Sequence, residues 1–385
     1  MTRMRGAGDG ARAEAEASAQ LGLLIARADL GYVRAAIEGD VVERGLTFLQ
    51  HAVLVAYEAH AFCTRQLGIA MPDLLWDAAL AAASRTSGKF FDDKHRDIEK
   101  LAGDIRRLTD ATRASFREGR RRRLARLLGI HNPDLAVLSV HQIPVATSIS
   151  LAFHAGTQVP GPSNIQAAER VVHDLATGVG QIVAVLGLAE VKHSAPAGEL
   201  DSAWVWGDGD SQECYSQAFS GDVPERYVPL LLLLQNAVAT AASVATSNCC
   251  NDCRFAAFKH RLVVAHHAAR SLAKLNATPS LNKATLARVR SLLDDPGPSG
   301  VLRLRSLRNG LVHLGLSDVP REAFAADNQV EGVIMHYTSG QGYADVDALV
   351  SRALTMLNEQ LTQWLLEPPD GGIGFAGLLR PPPTA

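Results

Sequence analysis

The chain of 385 residues is poor in several features that mark particular classes of protein. Aromatic residues make up only 5% of it, and Phe116 alone interleaves with the basic cluster at residues 117–126, so that cluster is not predicted to form a platform for stacking nucleic-acid bases. Lysine and arginine total 38 against 40 acidic residues, so there is no overall basic field and any nucleic-acid surface must be local. The five cysteines are odd in number and form no dense disulfide framework. This pattern favours a reducing compartment and predicts a cytoplasmic location.

Motifs of several enzyme classes are also missing from the sequence. There is no P-loop, no dinucleotide-binding fingerprint, no G-x-S-x-G and no H-E-x-x-H. Cys249, Cys250 and Cys253 crowd the predicted start of one helix without a second cysteine pair, which indicates a packed N-terminus instead of a zinc site. We therefore predict no metal and no cofactor.

Membrane insertion is not predicted either. The first 19 residues are polar and lack the apolar segment of a secretory signal. The run Val228–Thr246 approaches membrane-spanning length, but polar residues such as Gln235 and Asn236 interrupt it. No basic cluster flanks the run, so a buried helix is the preferred interpretation.

The abundance of alanine and leucine, with few alternating β-branched residues, predicts an all-α fold. The predicted helices lie near residues 20–38, 41–68, 72–85, 89–128, 133–156, 163–192, 227–246, 250–276, 281–294, 299–315 and 343–366. Val330–Tyr337 is the best short strand candidate. The segment Trp204–Val223 is rich in Gly, Asp and Ser, which predicts an irregular connection and a domain boundary. The predicted organisation is a disordered tail (1–19), a helical domain of unknown role (20–200), a linker (201–225), a second helical domain (226–367) and a disordered tail (368–385).

The segment Ser306–Gly315 holds the most informative group of residues, because it brings Arg308, Asn309 and His313 into six consecutive positions. A guanidinium can hold a phosphate by two parallel hydrogen bonds, and an imidazole can move a proton near neutral pH. On a helical wheel the leucines form a core stripe, whereas Arg305, Asn309 and His313 form a second, polar stripe. Arg308 lies on the flank between the two stripes. Gly315 is predicted to be the residue that ends the helix.

The pattern Arg-Asn-x-x-x-His resembles the signature of HEPN domains, which are helical nucleotide-binding and ribonuclease modules. Helix order and spacing over residues 226–367 are similar to that family as well, so the second domain is expected to be a HEPN-like bundle. The resemblance implies metal-independent RNA cleavage, in which the ribose 2′-hydroxyl attacks the adjacent phosphate. His313 would be the general acid or base, and Arg308 would stabilise charge on the phosphate. Asn309 would position His313 or the phosphate.

The resemblance also implies partners. HEPN modules pair so that two motifs face one cleft, so a homodimer through the C-terminal half is expected. We expect Arg308 and His313 to open into a cleft lined by the helix at 250–276. Arg305 and the basic cluster of Arg120, Arg121, Arg122 and Arg123 are candidates for binding RNA, although for the cluster a solvated helix face is an equal alternative.

The family analogy suggests a toxin or defence effector, whose antitoxin or regulatory partner is unknown. The runner-up hypothesis is a non-catalytic HEPN-like scaffold that binds nucleotide or RNA or mediates dimerisation. A third, a purely structural helical dimer, requires that Arg308 and His313 are buried or far apart.

Overall fold

The computed structural model is an all-α fold with one small antiparallel sheet. It describes residues 5–37, 42–70, 98–117, 133–155, 173, 177–186, 204–243, 254–324 and 329–380. The predicted fold class is confirmed. Alanine, leucine and other good helix formers dominate the helical segments, and their apolar faces supply the core.

The longer helices and the strands occur in both halves of the chain. The first half contains α1 (Arg5–Ile37), α2 (Val42–Arg65), α3 (Ile98–Arg117), β1 (Leu135–Val140), β2 (Ile143–Thr147) and α4 (Ser148–Ala155). The second contains β3 (Trp204–Gly209), α5 (Ser211–Gln217), α6 (Val228–Ser243), α7 (Arg254–Asn276), α8 (Lys283–Asp294), α9 (Pro296–Leu302), α10 (Arg305–His313), α11 (Gln329–Tyr337) and α12 (Tyr343–Leu366). Short 3₁₀ turns lie at Phe219–Gly221, Glu225–Tyr227, Arg321–Phe324 and Ala376–Leu378.

The first helix differs from the predicted disordered tail, because α1 begins at Arg5. It packs along α2, and both helices bury apolar side chains such as Leu30 and Leu49. A polar, alanine-rich start is compatible with helix, since alanine has the highest helix propensity. The predicted helix at 72–85 lies outside the described residues.

The predicted helix at 133–156 is wrong over its first two thirds. β1 and β2 form an antiparallel hairpin there, and only α4 at its end is helical. His141 and Gln142 make the turn with φ angles of 49° and 67°, as a tight two-residue hairpin turn requires. Neither residue is typical of such turns, so the sequence carried no turn signal.

The predicted irregular connection is also wrong, because β3 pairs with β1 and completes a sheet of order β2-β1-β3. α5 follows at once, since the Asp210 side chain accepts hydrogen bonds from the backbone N–H groups of Gln212 and Glu213 at the helix N-terminus. The chain beyond α12 is likewise ordered through residue 380. Phe375 is fully buried, and the backbones of Asp208 and Arg380 exchange hydrogen bonds of 2.8 and 2.9 Å.

The second half surrounds the buried helix α7, which contacts α1, α6, α8, α9, α10 and α12. The predicted bounds of α12 are confirmed. The strand candidate Val330–Tyr337 is wrong, because α11 occupies it and buries Val333 and Ile334 completely. The helix predicted at 299–315 is divided in two, because α9 ends at Leu302 and α10 begins at Arg305. Among the described residues, no helix is long and apolar enough to cross a membrane.

Candidate functional site

The motif helix α10 is held between α2, α7 and α11. Leu307 and Leu311 are fully buried, as the predicted core stripe requires, whereas Arg305 is exposed. The helix ends at His313, and the next residue, Leu314, has left-handed φ and ψ angles of 55° and 19°. Gly315, the residue predicted to end the helix, has no left-handed φ. Burial of the Leu314 side chain holds it in this uncommon conformation.

Arg308 is buried, with 1% of its surface exposed. Its Nη1 donates a 2.7 Å hydrogen bond to Oδ1 of Asn309, and its Nη2 contacts Nε2 of His267 on α7. Burial, reinforced by the charge of Arg308, lowers the pKa of His267 well below its ordinary value. A neutral imidazole whose Nε2 accepts from the guanidinium is the consistent assignment. Arg308 therefore joins α10 to α7.

His313 points to a different helix. Its Nδ1 lies 3.1 Å from Oε2 of Glu58 on α2, and the histidine side chain is 42% exposed against 10% for the glutamate. A carboxylate at Nδ1 orients the ring and leaves Nε2 as the nitrogen available to an external group. This is the arrangement that a general acid or base needs.

Glu58 was not predicted from the sequence as a site residue. It is separated from His313 by 255 positions, so no local pattern connects them. A weaker signal was present, because Glu58 is the single charged residue in the apolar stretch 52–59 of α2. A glutamate in a buried helix face usually has a specific partner.

The predicted site residues are therefore only partly brought together. Asn309 is half-buried and accepts from Arg308, while Arg305 lies exposed one turn earlier. Arg308 does face the helix at 250–276, as expected, but it is buried there and does not open into a cleft with His313. The basic cluster of Arg120, Arg121, Arg122 and Arg123 lies outside the described residues.

A buried polar layer extends inward from Glu58. Asp29 on α1 forms an ion pair with Lys259 on α7, and both side chains are at least 95% buried. The rings of His51 on α2 and His260 on α7 stack with their centroids 3.9 Å apart. Burial lowers the pKa of His260 to about 3, so this ring is neutral. The layer joins the first two helices to α7.

In the part of the chain that the structure describes, no group of three or more His, Cys, Asp or Glu side chains is arranged to hold a metal ion. Comparison with profiles of known protein families, with curated proteins and with solved structures finds no match. The functional inference therefore depends on the site itself and on the motif.

Proposed function

We propose that the chain is a metal-independent endoribonuclease of the HEPN kind, in which His313 is the acid–base residue. The observation that carries the proposal is the contact between Nδ1 of the half-exposed His313 and the buried carboxylate of Glu58. The carboxylate fixes the ring and stabilises the imidazolium that forms when Nε2 takes a proton. The motif Arg-Asn-x-x-x-His supplies the resemblance to the family.

The proposed reaction is an internal transfer within RNA. The ribose 2′-hydroxyl loses its proton to a base and attacks the adjacent phosphorus, while the bond from phosphorus to the 5′-oxygen breaks. The products are a 2′,3′-cyclic phosphate and a 5′-hydroxyl, and the leaving oxygen receives a proton from an acid. His313 serves as one of these two groups. DNA is not cut by this route because it lacks the attacking hydroxyl.

The proposed role of Arg308 changes with its burial. Its contacts with His267 and Asn309 make it a positioning residue that fixes α10, and not a group that grips the phosphate. The exposed Arg305 is assigned to phosphate binding, together with the cluster at residues 120–123. A second acid or base comes from a twofold mate, so the proposal includes an RNA-cleaving homodimer formed through the C-terminal half.

The proposal places the protein in the cytoplasm as a toxin or defence effector under the control of a regulatory partner. This part follows from the family resemblance and from the cysteine pattern, not from the geometry of the site. Light scattering coupled to size-exclusion chromatography tests the homodimer directly. A monomer at all concentrations would remove the second histidine from the mechanism.

The second candidate is a non-catalytic HEPN-like scaffold that binds nucleotide or RNA or mediates dimerisation. One observation favours it: the arginine of the motif is buried and its guanidinium contacts Asn309 and His267 within the fold. A guanidinium used in this way stabilises a helix pair and contributes nothing to charge on a substrate.

The deciding experiment is RNA cleavage in the presence of a chelator. We expect His313→Ala to abolish cleavage and Glu58→Gln, which keeps the shape but removes the charge, to reduce it by about 10²-fold or more. His336→Ala is the matched control, since His336 is an exposed histidine near the end of the neighbouring helix α11. Full cleavage by His313→Ala would contradict the proposal. RNA binding without cleavage by the unaltered protein would support the scaffold.

A further inference from the structure

A small cavity lies directly beneath the Glu58–His313 contact. It is enclosed by α1, α2, α7 and α10 and has a volume of about 10 Å³. Its polar lining consists of Asp29, His51, Glu58 and Lys259, and its remaining walls are apolar. A volume of roughly 10–15 Å³ is what one water molecule needs, provided that two to four polar partners surround it.

Three of these lining residues each carry a buried polar atom without a hydrogen-bond partner: Oδ1 of Asp29, Nε2 of His51 and Oε1 of Glu58. All three residues are more than nine-tenths buried. The second carboxylate oxygen of each acid is engaged, by Lys259 for Asp29 and by His313 for Glu58. Leaving even one buried polar atom without a partner is costly, so three around one cavity indicate a shared ligand.

The chemistry of these atoms defines the ligand. The two carboxylate oxygens accept hydrogen bonds, so the ligand must offer two donors. Burial lowers the pKa of His51 well below its ordinary value, so its ring is neutral and Nε2 can carry the proton as a donor. A water molecule offers two donors and accepts a third bond, which matches this set. A cation fits less well, because the ammonium of Lys259 lines the same cavity.

We infer that this cavity is a binding site for one water molecule, which joins Glu58 to Asp29 and His51. The bound water fixes the free oxygen of Glu58 and thereby supports the carboxylate that holds His313. This water site does not depend on the proposed function, because the packing of four helices forms it whether or not the protein cuts RNA.

Relaxation dispersion of the water ¹⁷O signal tests the site, because it counts water molecules held inside a protein. We expect His51→Phe, which keeps a ring for stacking but removes the donor, to hold one long-lived water fewer than the unaltered protein. Thr240→Val is the control: it removes a buried hydroxyl that already donates to the carbonyl of Val145, away from the cavity, and leaves the count unchanged.

A high-resolution crystal structure of the unaltered protein gives a second test that needs no variant. We expect a water within about 3.2 Å of at least two of the three atoms. An unchanged ¹⁷O count in His51→Phe would overturn the inference. So would a crystal structure showing a cation at the cavity or the three polar atoms bonded to one another.

Discussion

Replacing Arg308 by methionine distinguishes a structural arginine from a catalytic one. Methionine keeps most of the aliphatic stem but removes the hydrogen bonds to His267 and Asn309. Asn309 is half-buried and can turn to water, whereas Nε2 of the buried His267 is left without its donor. An unsatisfied buried polar atom costs about 1–3 kcal/mol, and we expect Arg308→Met to lower the free energy of unfolding by that amount.

Urea titration followed by circular dichroism measures this change, with an unaltered slope expected in both proteins. The matched variant is Arg305→Met on the same helix, which should stay within about 0.5 kcal/mol because Arg305 is exposed. Adding His267→Leu to Arg308→Met should cost less than the sum of the two changes, since both partners of the contact are then removed. Equal stability of Arg308→Met and the unaltered protein, combined with loss of RNA cleavage, would refute a positioning role.

Three other expectations concern packing, pH and thiol chemistry. Gly297→Ala should lower the free energy of unfolding by about 1–3 kcal/mol in the same urea assay, because the new Cβ would lie 2.9 Å from the backbone Cα of Ala353. In the control Gly315→Ala the new Cβ meets nothing within 4 Å, so this variant should be as stable as the unaltered protein. Equal stability of the two variants would disprove the close approach of α9 and α12. Loss of hydration around the partly buried His154 ring lowers its pKa to about 3, so the neutral ring stabilises the fold above pH 6.5 and this contribution is lost as the pH falls toward 3. Between pH 6.5 and 5 the free energy of unfolding of His154→Leu should therefore fall less steeply than that of the unaltered protein, with slopes that differ by up to about 1.4 kcal/mol per pH unit. Parallel plots of unfolding free energy against pH would rule this out. Burial and neighbouring carboxylates raise the pKa of Cys214 to about 12, so its thiol stays protonated and unreactive at pH 8. Native protein treated with iodoacetamide at that pH should carry no label on Cys214 by mass spectrometry. Labelling at the rate of a free thiol would contradict the structure.

Sequence patterns predicted the helices whose apolar positions repeat every three or four residues. The C-terminal bound of α12 agrees with its prediction, because Pro368 and Pro369 follow one residue after the helix and cannot continue it. Short apolar runs were ambiguous instead. Residues 330–337 were predicted to be a strand and form a helix, whereas residues 135–147 were predicted to be helical and form a β-hairpin. Contacts with partners elsewhere in the chain decide between helix and strand for such short runs.

Sequence patterns predicted the candidate site only in part, for the same reason. A helical wheel correctly placed the leucine stripe of α10 in the core, but it left Arg308 on a flank whose environment depends on α7. The partner of His313 comes from α2, more than 250 residues earlier, and no spacing within the motif indicates it. Residue types and periodicity therefore define the face of a helix. The neighbour that covers the face is set by the tertiary fold.

The contact between His313 and Glu58 has a practical consequence for anyone who divides this chain. A fragment beginning at residue 226 would contain the whole Arg-Asn-x-x-x-His motif and would still satisfy any search for it. It would nevertheless lack the carboxylate at Nδ1, and it would expose the sides of α7 and α10 that α1 and α2 cover. Inactivity of such a fragment would then result from the absence of the first half of the chain, and it would not test the chemistry of the intact protein.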